Sequence, residues 1–299
     1  KDRVAIVGMG CTPFAEHWDR SADDLLLDAA TEAFASAGVD KDSVDAYWLG
    51  TAQSRMSGIA LARRLQLRDK PVTRVENYCA TGSEALRHAA YAVASGAYDV
   101  AMAIGVEKVK ESGYQGLNAC PIPGDGTART LTGAAMFSMV APAYARRFGV
   151  VRAADAHRYC ERPLYVKVLP FVAGNGSGLL DCDYAYTTVP EVVAADAYAQ
   201  AGITDPRHQL AMAEVHDCFT PTELVLVEDL GFAARGTAWE EVPAGTFDLD
   251  GGLPVNPGGL KSFGHPVGAS GLRMLYECWL QLRAESPEER RIATTADRN

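Results

Sequence analysis

A cysteine placed directly before a helix, with a histidine able to take its proton, is the minimum needed for an activated thiol nucleophile. Cys79 stands in VENYCATGSEAL, after a strand-like stretch and before an apolar-periodic helix. A helix N-terminus carries free amide donors and roughly half a positive charge, both of which stabilise a thiolate. The small neighbours Ala80, Thr81, Gly82 and Ser83 leave the sulfur open to a substrate. Taken alone, a free cysteine is more often a small buried apolar residue. His265 lies in NPGGLKSFGHPVGASG, where five glycines and two prolines between 256 and 271 describe a tight loop feeding another helix. A third group, His216-Asp217-Cys218, follows the apolar run LAMAEVH and precedes the helix-like ELVLVEDLG. Titratable side chains at a strand's C-terminal end sit where open α/β sheets place their ligands.

An internal repeat ties the first two together. Cys79-x-x-Gly82-x-x-Ala85-Leu86-Arg87 superposes on His265-x-x-Gly268-x-x-Gly271-Leu272-Arg273 with a shift of 186 residues. A second match, Phe34 to Val39 onto Tyr198 to Ile203, has a shift of 164 and sets Gly50 close to opposite His216. An internal duplication follows. With Cys79 and His265 at equivalent strand-to-helix turns, a pseudo-twofold axis brings thiol and imidazole together.

The elements that must position these groups read as alternating strands and helices. VAIVGMG (4–10) is an apolar run of strand length, and 21–38 is a helix with Ser21 as cap, an acidic first turn and Gly38 as stop. Strands are expected in 44–52, before Cys79 and in 98–107, with a helix over 83–96. The second half restarts with PLYVKVLPFVAG (163–174), a helix ending at 196–203 and the run 210–216. Such alternation implies a mostly parallel sheet. The expected halves are 1–149 and 150–299. At 149–151 the chain passes from RRFGV to VRAAD with no strand between, and RIATTADRN stops where another strand is expected.

Composition removes several classes. The net charge of −10 argues against nucleic acid or an anionic membrane as partner. No run approaches the roughly 18 apolar residues of a membrane helix, and KDRVAIVGMG lacks the pattern of a signal peptide, so the expected place is the cytoplasm. Seven scattered cysteines without a CxxC pair look like neither a disulfide framework nor a zinc module. Metal binding through His216, Asp217 and Cys218 is disfavoured, because adjacent side chains on a strand face opposite ways. Gly8-Met9-Gly10 falls short of a dinucleotide fingerprint, having Pro13 at the third glycine, and Gly124-Asp125-Gly126 lacks the lysine of a phosphate loop.

VENYCATGSEAL, DVAMAIGVEKVKES, AEVHDCFTPTELVLVEDLGF and VNPGGLKSFGHPVGASG together resemble the thiolase superfamily. HDCF points to its sterol-carrier-protein-2-type and archaeal acetyl-CoA acetyltransferase branch. The resemblance implies an α/β thiolase fold, five-layered αβαβα, of two duplicated βαβαβαββ halves. It implies Cys79 as the nucleophile that takes an acyl group from a 3-oxoacyl-CoA, His265 as the base that activates it, and His216 as a donor to the thioester oxygen. Cys218 is then the acid/base at the α-carbon, and Asn256 and Gly264 belong to the loop shaping the substrate and oxyanion site. Coenzyme A enters as substrate, with no tightly bound cofactor and no metal. Family members carry a CoA-binding lid segment that is missing here near 149–151. A homodimer or dimer of dimers and a DUF35-type OB-fold partner are further implications. Two alternatives stand beside this reading: an acyl-CoA aldolase or lyase of steroid or lipid side-chain breakdown, against which Cys79 argues, and a non-enzymatic lipid-binding protein.

Overall fold

The computed structural model describes residues 4–109, 120–121, 130–131, 189–259 and 264–293. The chain divides into two compact units, Lys1–Gly116 with Gly258–Arg291, and Leu117–Pro257 with Ile292–Asn299. The junction expected at 149–151 and the strand expected at 163–174 lie outside the described residues.

In the first unit, α1 (Ala22–Ala37) forms where the sequence places it. Ser21 accepts from the Asp24 amide while the Asp24 carboxylate accepts from the Ser21 amide, a reciprocal cap, and Gly38 ends the helix at φ 68°. Such a cap contributes about 1 kcal/mol. Three parallel strands follow, β1 (Ala46–Gly50), β2 (Val72–Val75) and β3 (Ala101–Gly105), in the order β2-β1-β3. Between them come a short helix Ile59–Arg64 and α3 (Thr81–Ala94), the latter preceded by a 3₁₀ turn Tyr78–Ala80; the short helix is α2. The central strand β1 is buried along its whole length. Its alternate residues serve two cores: Tyr47 and Leu49 pack with Leu25, Leu26 and Ala30 of α1, while Ala46 and Trp48 pack with Ala85 and Ala89 of α3. This is the two-residue period of a strand covered on both faces.

The C-terminal ends of β1 and β3 are joined by one side chain. The half-buried loop after Gly50 wraps the Glu107 carboxylate, which accepts from the amides of Ala52 (2.6 Å), Gln53 (3.0 Å) and Ser54 (2.8 Å) and from the hydroxyls of Thr51 and Ser54. The strand expected at 4–10 does not form among the described residues. Among the described residues the sheet ends at β3, and 4–10 belongs to no strand, with Val4, Ile6 and Val7 exposed.

The second unit contains a short antiparallel ladder, Cys120–Pro121 with Thr130–Leu131, and two longer helices, α4 (Val189–Ala201) and α5 (Thr220–Asp229). Its core is Val215, Val227, Phe232, Ala233, Ala238 and Leu253. The strand expected over 210–216 is reduced to a single parallel bridge, Ala213 to Val255. The partner segment explains this: Pro254 and Pro257 flank it without amide donors, and the Val215 amide is taken by the side chain of Asn256 at 2.8 Å. The chain returns to the first unit in α6 (Ser270–Leu282).

Candidate active site

Cys79 sits in the middle of the 3₁₀ turn between β2 and α3. The turn is fixed by Thr81, fully buried, whose hydroxyl accepts from the Asn77 amide (2.8 Å) and donates to the Tyr78 carbonyl (2.6 Å). Tyr78 is held at φ 46°, the left-handed region that costs a bulky residue about 1–3 kcal/mol. The turn places Cys79 directly before α3, with its thiol half-buried.

His265 reaches the same place from the other end of the sequence. Gly264 before it has φ 144°, a conformation in which any side chain is strained. After it the chain turns into α6, and Gly268 passes the ends of β1 and β3 so closely that a Cβ there would lie 2.7 Å from the Val106 carbonyl and 2.8 Å from the Gly50 carbonyl. The result is a hydrogen-bonded pair: His265 Nε2 lies 3.1 Å from Cys79 Sγ. On the far side of the ring, Nδ1 lies 2.7 Å from the hydroxyl of Ser270, which is fully buried and also 3.4 Å from the Pro266 carbonyl. A carbonyl can only accept, so the hydroxyl donates there and accepts from Nδ1–H. Nε2 is then the acceptor that takes the thiol proton. After transfer Nδ1–H still has Ser270 and Nε2–H has the thiolate, so the network holds in both states.

A cavity of about 310 Å³ opens beside Gly264, His265 and Pro266, walled by Phe14, Trp18, Leu25, Val106 and Val109. It is large enough for an apolar group several carbons long.

His216, Cys218 and Asn256 lie in the second unit. His216 and Cys218 are half-buried at the end of the 210–216 run, and Cys218 Sγ is 3.9 Å from the Thr222 hydroxyl at the start of α5. Asn256 is buried at φ 51°, and its side chain joins the Val215 amide to Glu223 of α5, whose carboxylate accepts from Nδ2 at 2.8 Å. Within the first unit the structure therefore brings Cys79 and His265 together as the repeat predicts, with Gly264 next to His265, and within the second it gathers His216, Cys218 and Asn256. Sequence reasoning gave Ser270 and Glu223 no role at the site and read Thr81 only as a small neighbour of Cys79. The available signal for Thr81 and Ser270 was a hydroxyl residue two positions after Cys79 and another five after His265.

A cysteine and a histidine so paired at the end of a parallel sheet have the geometry of an activated thiol nucleophile. Residues 4–124 match the thiolase N-terminal domain and residues 180–296 the thiolase C-terminal domain-like family. An acetyl-CoA acetyltransferase of Methanothermobacter thermautotrophicus is 30% identical over 95% of this chain and 91% of its own. Sterol carrier protein 2 of Gallus gallus is 25% identical over 94% of this chain and 66% of its own. Among solved structures, an Ltp2-ChsH2(DUF35) aldolase superposes with a TM-score of 0.70 at 20% identity, covering 97% of this chain and 92% of that one. The chain belongs to the thiolase family, and its α/β fold is the thiolase fold. The alignment with the first relative runs over 357 positions against the 299 residues of this chain, so at least 58 positions of that relative have no counterpart here.

Proposed function

We propose that this protein is a thiolase-type acyltransferase, an acetyl-CoA acetyltransferase or 3-ketoacyl-CoA thiolase, that carries its acyl group on Cys79. The observation that carries the reading is the 3.1 Å contact between His265 Nε2 and Cys79 Sγ, held in the productive tautomer by Ser270. In the degradative direction His265 takes the thiol proton and the thiolate attacks the 3-oxo carbon of a 3-oxoacyl-CoA. The bond between C2 and C3 breaks, and the departing enolate takes a proton from Cys218. His216 donates to the thioester oxygen where the enolate charge develops. Free coenzyme A then gives its proton to the Cys218 thiolate and attacks the acyl group, and Cys79 leaves and recovers its proton from His265. The two half-reactions are ping-pong, and their reverse is a Claisen condensation.

In this reading Asn256 and Gly264 shape the substrate and oxyanion loop, coenzyme A is substrate rather than bound cofactor, and no metal takes part. The cavity beside His265 suits an apolar acyl tail. The protein acts in the cytoplasm as a homodimer or dimer of dimers, with lipid metabolism as its setting and a DUF35-type OB-fold protein as partner. One fact supports that partner: the similar solved structure is an Ltp2-ChsH2(DUF35) aldolase. Among the described residues no helix is long and apolar enough to cross a membrane.

The same aldolase likeness favours a second reading, carbon–carbon cleavage of an acyl-CoA without an acyl-enzyme. Incubation with acetyl-CoA and acetoacetyl-CoA, followed by intact mass and peptide mapping, separates the two. An adduct on Cys79 that free coenzyme A discharges and Cys79→Ala abolishes supports the thiolase. A folded protein given its partner, with no adduct from short or long acyl-CoAs, supports the lyase.

A further inference from the structure

We propose that Glu223 and Asn256 form a clamp that positions His216 and Cys218, so that Glu223 is a positioning residue for the enolate half of the reaction. The inference rests on the thiolase reading above. Both ends of the turn carrying His216 and Cys218 are tied to one residue. On the N-terminal side the Val215 amide, adjacent to His216, donates to Asn256 Oδ1 at 2.8 Å, and the Ala213 carbonyl accepts from the Asn256 amide at 2.8 Å. On the C-terminal side Asn256 Nδ2 donates at 2.8 Å to Glu223, in the first turn of α5 and five residues beyond Cys218.

The amide's orientation is unambiguous. A backbone N–H can only donate and an ionised carboxylate can only accept, so the carboxamide must turn its oxygen to Val215 and its nitrogen to Glu223. Its own backbone, at φ 51°, adopts the left-handed conformation that asparagine and aspartate tolerate better than other side chains. The clamp needs one residue with a donor and an acceptor on a short stem, and Asn256 satisfies both the conformation and the polarity. Without it the buried Val215 amide loses this acceptor and the turn loses its tie to Glu223, while the catalytic step needs its donors fixed to a fraction of an ångström.

The polarity supplies the test. In Asn256→Asp the oxygen facing Val215 is kept, but the second oxygen meets the Glu223 carboxylate, two acceptors with no proton between them. Turnover of acetoacetyl-CoA with coenzyme A is expected to fall roughly 30-fold or more. Glu223→Gln keeps an acceptor for Nδ2 and is expected to stay within about threefold of the parent. The double variant Asn256→Asp with Glu223→Gln reverses the bond, the glutamine amide donating to the aspartate, and turnover is expected to recover to within about threefold. Cys79 alkylation by iodoacetamide, which needs only the Cys79 and His265 pair, is expected to be unchanged in all three variants.

Turnover in Asn256→Asp within threefold of the parent, or a double variant that stays folded by circular dichroism yet as slow as Asn256→Asp, overturns the clamp. Alkylation that falls in step with turnover also overturns it, since that is general damage rather than positioning. A parent protein that turns over no acyl-CoA sinks the thiolase reading instead, and thermal melting then tests the clamp alone: Asn256→Asp must lower the midpoint and the double variant restore it.

Discussion

Replacing Ser270 by alanine tests the activation of Cys79 without touching either reacting atom. The hydroxyl lies 2.7 Å from His265 Nδ1 and is fully buried, so its loss removes this bond to Nδ1–H. A hydrogen bond to a charged group contributes about 1.5–3 kcal/mol. Because the hydroxyl accepts from Nδ1–H, it favours the charged imidazolium over the neutral ring, and its removal shifts the pair from thiolate–imidazolium toward thiol–imidazole. The neutral ring makes the same bond at about 0.5–1.5 kcal/mol, so the difference is about 1–1.5 kcal/mol, which at about 1.4 kcal/mol per decade is roughly 5- to 12-fold less thiolate. The assay is the second-order rate of Cys79 alkylation by iodoacetamide between pH 5 and 9, read by peptide mapping, with acylation by acetyl-CoA alongside. Both rates should fall by about one decade at neutral pH, with circular dichroism unchanged. Parent-like alkylation across that range would refute the argument that Ser270 sets the tautomer and supports the ion pair.

Two further outcomes follow from local geometry. Gly268→Ala drives a Cβ to within 2.8 Å of the Val106 and Gly50 carbonyls, backbone that cannot rotate away, so urea denaturation should show a loss of about 1–3 kcal/mol or a displaced His265 with slowed acylation. Cys11 provides an internal control for thiol labelling: burial pushes its thiol up to about 11, with Glu32 and Glu277 adding to the rise and Arg273 opposing it. Its thiolate is therefore scarce below that pH and increases as pH rises, so at pH 7–8 mapping should find Cys79 alkylated and Cys11 intact, with Cys11 labelled only toward pH 10–11.

The parts of this fold that were legible are those whose signal is local or periodic. Helix α1 announces itself through Ser21, Asp24 and Gly38, a reciprocal cap and a left-handed stop that need no tertiary partner. The strand β1 is legible because it is apolar throughout and bounded by α1 and the loop after Gly50. Two equally apolar runs misled. Residues 4–10 have the composition of a strand but find no partner among the described residues, and strand formation is decided by pairing as much as by composition. Residues 210–216 form one bridge instead of a ladder because the proline pattern of the opposing segment, and a side chain that captures the next amide, stop it after Ala213.

The site divides along the same physical line. Cys79 and His265 were found from the sequence because duplication puts them at equivalent turns, a relation visible as a fixed shift with matching glycines. Ser270 was hidden for a different reason. A serine at the start of a helix reads as a cap, yet here Ala269 holds the cap position and the hydroxyl turns back to the histidine. Glu223 was hidden because its partner is 33 residues away and carries no repeat or periodicity to mark the pair. The reacting atoms proposed for this enzyme are thus encoded in motifs, whereas the groups that fix their geometry are encoded in side-chain contacts that only the folded chain assembles. For that reason the polarity swap at Asn256 and Glu223 is a sharper test than removing a catalytic residue. Truncating Cys218 would stop the proposed reaction under any account of the turn, but only a clamp with a defined donor and acceptor can be broken by one substitution and mended by a second.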